Sequence, residues 1–250
     1  SDTGGSIRMP ANFCGVTGLK TSVGRVSRFG AMPLSHSLDT IGPLAQTAED
    51  CALVLQAIAG PDASDPTALP VPVPDYAAAC RLGVRGMRLG VPDAFYLDGL
   101  EPATARAFEA ALDAFRGEGV EIVSISLPDQ MRLSAAGQIL LACEAAAFHR
   151  RWLAERPEDY GAQVRARLEN GLAIPAVTYL EALRWRAIAL TEHLQSVAGV
   201  DAFLAPVSAS ASPSIAESDV GGGPSAEAVI QRITRLMRPV NYLGLPALVV

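Results

Sequence analysis

The period of apolar and polar positions changes several times along the chain, and each change marks an element. Positions 1–45 have no clear period and are rich in Gly, Ser and Thr, which predicts a long ordered loop region with short elements. The first firm helical pattern begins at Thr47. There Thr47-Ala48-Glu49-Asp50 offers a hydroxyl to an orphan N–H and acids to the positive helix end. An apolar run follows and Gly60-Pro61 stops it. The prolines of 61–86 predict an extended connector. A strand is expected at 87–91, a helix from Pro102 to Arg116 capped by Gly117, and a second strand at 120–126. Strand, helix and strand at this spacing form a βαβ unit, hence adjacent parallel strands with a right-handed crossover. Helical patterns then occupy 132–156, 159–170 and 177–198, the last with Thr178 and Glu181 as a capping box. A short buried strand at 202–206, a mobile Ser/Ala/Gly-rich loop at 208–224, a helix at 225–238 and a strand from 246 to 250 complete the pattern. No internal repeat is apparent.

Composition narrows the class. The chain has 250 residues, half of them hydrophobic and 18% charged, so it is neither disordered nor fibrous. A chain of this length buries roughly 70–75% of its unfolded surface and needs no disulfides. The longest uncharged stretch, 202–216, is broken by Pro206 and Pro213 and falls short of the about 20 apolar residues of a membrane span. The net charge is −6, with no block of like charges and Lys20 as the sole lysine, so direct nucleic-acid binding is not expected. Cys14, Cys51, Cys80 and Cys143 lack CxxC spacing and read as reduced core thiols of a cytoplasmic protein. His36, His149 and His193 do not cluster with them, so no metal is expected. No signal peptide is visible. The chain opens on SDTGGSIR and closes on the apolar GLPALVV, and both ends read as cuts through buried elements.

One segment carries a strong chemical signal: Asp2-Thr3-Gly4-Gly5-Ser6-Ile7-Arg8-Met9-Pro10-Ala11. Two glycines permit backbone angles and close approaches closed to other residues. Such a turn can aim successive N–H groups at one point, as an anion-binding nest. A helix starting near Ser6 would add its positive end. Ser6 would then sit beside donors for the charge that develops on a carbonyl oxygen under attack, the geometry of acyl transfer. The same residues also spell a plain Gly-Gly turn with a capping serine, and spacing alone does not separate the two. The P-loop ending GK[ST] and the GxGxxG fingerprint are both absent.

Residues 2–11 match the pattern D-x-G-G-S-[IV]-R-x-P-A at every position. Further likeness runs through Gly18–Lys20, Gly24–Ser27, Ser37-Leu38-Asp39-Thr40, Gly42-Pro43, Asp50, Leu204-Ala205-Pro206 and Asn241–Ala247. On these residues the chain resembles the amidase signature family; 87–200 matches only in its rhythm of elements. The resemblance implies an α/β fold, a single domain with a mixed twisted sheet covered by helices on both faces. It also implies hydrolysis of small-molecule carboxylic amides through a serine–cis-serine–lysine triad, without metal or organic cofactor. Ser6 matches the nucleophile, and the backbone N–H groups of Thr3, Gly4, Gly5 and Ser6 match the oxyanion hole.

The family's lysine and its Gly-Gly-Ser-Ser-Gly loop precede the nucleophile motif, and its members continue past GLPA. Residues 1–250 therefore read as part of one amidase domain, truncated at both ends, holding the nucleophile without its base. Lys20 stands at a position with no catalytic role in the family and reads as structural or surface. Only trace amidase activity is expected of this stretch alone. Two alternatives stand beside the amidase reading: the glutaminase (A-type) subunit of a tRNA-dependent amidotransferase, and an inactive structural fragment. A homodimer is compatible with either enzyme reading. Parts of 130–180 and 208–224 are expected to line the acyl pocket, whose apolar content favours small aryl or aliphatic amides. Arg8 is expected to pair with Asp2 and hold the turn. His149 reads as part of a solvated helix face, Trp152 and Trp185 as core or groove-lining, and Asn241–Gly244 as a structural loop.

Overall fold

In the computed structural model, residues 1–219, 221 and 225–250 are described. They form ten helices and six strands, a mixed α/β architecture. The near end of the chain is α1 (Arg8–Cys14), β1 (Thr17–Lys20) and β2 (Leu44–Ala45), followed by α2 (Ala48–Ile58) and the one-turn α3 (Tyr76–Ala79). Then come β3 (Arg88–Pro92), α4 (Pro102–Gly117), β4 (Glu121–Ile125), α5 (Gln130–Glu155), α6 (Ala162–Leu172) and α7 (Ala176–Ser196). The far end holds β5 (Ala202–Phe203), the short α8 (Ile215–Ser218), α9 (Ser225–Thr234), α10 (Arg238–Leu243) and β6 (Ala247–Val249).

The strands divide into two three-stranded sheets. One is antiparallel in the order β2-β1-β6; the other is parallel in the order β4-β3-β5. The parallel sheet contains the expected βαβ unit: β3 and β4 pair in register from Arg88 opposite Glu121 to Pro92 opposite Ile125, and α4 packs on β4. The antiparallel sheet pairs strands from opposite ends of the chain, Leu19 lying opposite Leu248. α1 and α2 pack against β1. The largest core cluster joins Leu133, Ala136 and Leu140 of α5 to Ala182 and Ala189 of α7 and to Tyr242 and Leu243 of α10.

Local signals placed most elements within one or two residues. Thr47 caps α2 by accepting from Asp50 N–H at 3.0 Å. Five expectations are corrected. Gly117 lies inside α4, and the left-handed residue that turns the chain is Gly119 (φ 83°). The capping box at Thr178 does not form, because α7 begins two residues earlier behind Pro175, whose fixed φ suits a helix start. The 225–238 helix ends at Thr234, and Asn241–Leu243, expected as loop, belong to α10, closed by left-handed Gly244 (φ 75°). Within 208–224, Ser214 and Glu217 build a full capping box that starts α8. Residues 220 and 222–224 of that expected loop lie outside the described residues.

Candidate active site

The Asp2–Ser6 turn is anchored from both ends of the chain. Asp2 is fully buried, and its carboxylate accepts from the N–H groups of Gly5 (2.8 Å), Ile7 (3.2 Å) and Arg8 (3.4 Å). Arg8, also buried, grips the same carboxylate with Nε at 3.1 Å and Nη2 at 3.2 Å, so the expected ion pair forms. Arg8 reaches further, to the Met237 carbonyl (3.1 Å) and to Asn241 Oδ1, while Asn241 Nδ2 donates to Asp2 Oδ1 at 2.7 Å. Burial works against the charge on Asp2, but Arg8 and Asn241 outweigh it and hold the pKa down at about 2. The backbone of Asp2 is bridged to Thr40 in both directions, at 2.8 and 3.2 Å.

This anchoring exposes the serine. Ile7 and Asp2 are buried, whereas Ser6 is exposed at the crest of the turn, one residue before the N-cap of α1. Gly5 adopts φ 126°, and a Cβ there would stand 2.8 Å from Met237 Sδ, so both backbone angle and space call for glycine. The expected donor set needs one correction: the Gly5 N–H points inward to Asp2 and is spent on the carboxylate. Among the described residues the N–H groups of Thr3, Gly4 and Ser6 have no protein acceptor.

Lys20 is fully buried, and its Nζ donates to the carbonyls of Thr21 (2.9 Å) and Leu245 (2.8 Å), tying β1 to the segment before β6. Burial, aided by the charge of Arg8, lowers its pKa to about 7. Its nitrogen is committed to those carbonyls rather than to Ser6.

Among the described residues two open cavities stand out, and neither is lined by Thr3–Ser6. One of about 250 Å³ is lined by Ser1, Phe29, Met32, His36, Asp39 and Ile41 among others. The second, about 300 Å³, is lined by Met32, Trp152, Arg156, Asp159 and Tyr160. The second takes Trp152, Arg156, Asp159 and Tyr160 from 130–180, and no described residue of 208–224 lines either cavity. Trp185 instead packs on the core beside Tyr242, with Arg132 over its ring at 4.0 Å. Two bland readings are corrected. His149 does not face solvent; it is buried and its Nδ1 lies 2.9 Å from the Tyr160 hydroxyl. Of the four cysteines, all free thiols, Cys14 and Cys80 are exposed rather than in the core. Sequence reading also passed over Glu144 and the bridge of Asp39 to Thr3, since contacts between residues 36 to 109 positions apart leave no local pattern.

The α/β framework thus buries an Asp2–Arg8 pair and carries an exposed serine on a Gly-Gly turn. The family model described as Amidase matches residues 1–250. The chain belongs to the amidase family. It is 38% identical over 250 residues to an amidase of Pseudomonas putida, covering 99% of this chain and 54% of that protein. It is also 38% identical over 231 residues to the A-type subunit of the glutamyl-tRNA(Gln) amidotransferase of Geobacter sulfurreducens, covering 83% of this chain and 48% of that protein. A solved structure of a vestigial protein complex that bears on the origins of an s-triazine catabolic enzyme superposes with TM-score 0.88 at 31% identity, covering 99% of this chain and 53% of that one. The chain thus spans about half the length of the curated relatives it matches. No helix among the described residues is long and apolar enough to cross a membrane.

Proposed function

We propose that this chain carries the nucleophile and oxyanion hole of an enzyme that hydrolyses carboxylic amides. The observation that carries the reading is an exposed Ser6 beside three N–H groups, of Thr3, Gly4 and Ser6, that have no acceptor among the described residues. In the reaction a base removes the Ser6 proton as Oγ bonds to the amide carbon. The carbonyl π electrons move to oxygen, and the backbone donors stabilise that charge. The C–N bond then breaks, with a proton returned to the departing nitrogen, and leaves an acyl ester on Ser6. Water attacks the ester in the same manner and releases the acid. In the family pattern the base is a lysine acting through a second serine, both preceding the nucleophile motif.

A fluorophosphonate probe tests the reading in the full gene product. Covalent labelling and amide turnover are expected in the wild type, with both lost in Ser6→Ala; turnover surviving that substitution would refute it. For residues 1–250 alone, turnover of simple amides is expected to stay at trace level.

The likeness to the amidotransferase component favours one second reading, glutamine hydrolysis that feeds ammonia to partner proteins. Glutamine cleavage that rises sharply on adding the companion proteins would support it over free-standing amide hydrolysis.

A further inference from the structure

A buried carboxylate far from Ser6 in sequence is tied by hydrogen bonds to the turn that holds it. Glu144, on α5, accepts from the hydroxyls of Ser35 and Ser37, from the Ser37 N–H (2.9 Å) and from the Tyr179 hydroxyl of α7 (2.9 Å). Burial disfavours its ionised form, but these donors outweigh burial and hold its pKa below the usual carboxylate value. Arg186, also on α7, holds the same loop by donating to the Ser37 carbonyl at 2.9 Å. The loop so gripped presents Asp39. One Asp39 oxygen accepts from the N–H groups of Leu34 (2.8 Å) and Ser35 (3.0 Å), and the other from the Thr3 hydroxyl. The next residue, Thr40, bridges the backbone of Asp2. Thr3 is thereby fixed at its side chain, and its backbone at the preceding residue.

We propose that Glu144 is a positioning residue for amide cleavage, aligning the Thr3 N–H with the developing oxyanion through Ser35, Ser37 and Asp39. The proposal rests on the reading of the turn as an oxyanion hole. A hydrogen-bond donor contributes to the transition state only while aimed at the charge, and a displacement of about 1 Å can cost on the order of a hundredfold in rate. A carboxylate that served only to fill the α5–α7 interface would leave turnover of the folded enzyme unchanged when replaced.

The test uses the full gene product and a chromogenic amide, with melting temperature recorded for every variant. Glu144→Ala is expected to lower kcat roughly 10–100-fold with KM within about twofold. Thr3→Val, which cuts the same chain at its far end, is expected to lose a comparable factor. Because the two act in series, the double variant should be hardly slower than the worse single one. Glu144→Gln and Ser37→Ala keep the interface filled and are expected to lose roughly 3–10-fold; they decide the matter if Glu144→Ala does not fold. A kcat within twofold of wild type in the folded variants, or losses that multiply in the double, would overturn the proposal. Turnover persisting in Ser6→Ala would instead overturn the amidase reading beneath it.

Discussion

At the scale of single residues, charge burial dominates. Asp2 and Arg8 are each nearly inaccessible to water, and such a pair adds little net stability over an apolar one, yet removing one partner strands the other at a cost of about 3–5 kcal/mol. The pair is better understood as the fastener of the turn, with Asp2, gripped by Arg8, taking the Gly5 N–H inward. His193 shows the opposite situation. It is almost completely buried against Phe203, and neither ring nitrogen finds a hydrogen-bond partner among the described residues. Burial lowers its pKa, so the folded chain resists a proton that the unfolded chain accepts below about pH 6.5. Its share of stability is therefore complete above that pH and is lost as the pH falls through it. His193→Phe should flatten the decline in urea-unfolding free energy between pH 7 and 5; an unchanged slope would show that His193 titrates freely when folded.

Between elements, helix packing is set by small residues. α5 and α6 cross where a Cβ on Gly171 would lie 2.0 Å from the Ala142 carbonyl oxygen, a backbone atom that cannot step aside. Gly171→Ala must separate the two helices, and a loss of about 2–4 kcal/mol with a corresponding drop in melting temperature is expected. In an exposed helix the same change would stabilise by up to about 1 kcal/mol, so the sign of the measured shift decides whether the crossing is this close. This helix pair also carries Glu144, and the packing of α5 therefore bears on the loop that carries Asp39.

For the whole molecule, legibility in the sequence followed contact range. The cap at Thr47, the proline that opens α4 and the βαβ unit were readable because each depends on residues close in the chain. The antiparallel sheet was not readable: β2 has two residues and β6 three, too few to show a period, and β1 reaches β6 across more than two hundred positions. The helical character of Asn241–Leu243 was hidden for a similar reason, since α10 is short and buried on every side. Of the site, the Gly-Gly-Ser turn was legible as local chemistry. The inward turn of the Gly5 N–H was not, because it depends on a carboxylate oriented by Asn241. That dependence gives a prediction at this scale. Asn241→Ala, distant in sequence from Ser6, should slow fluorophosphonate labelling of Ser6 by roughly 10-fold or more with the fold retained. Labelling at the wild-type rate would mean that Arg8 alone holds the turn.

The bond between Arg8 and Asn241 spans 233 residues. During synthesis at roughly 5–20 residues per second, the serine leaves the ribosome about 10–50 seconds before the helix that steadies its turn has been made. A nascent chain in that interval carries Ser6 on a segment that Asn241 does not yet hold, and the turn is complete only when α10 docks.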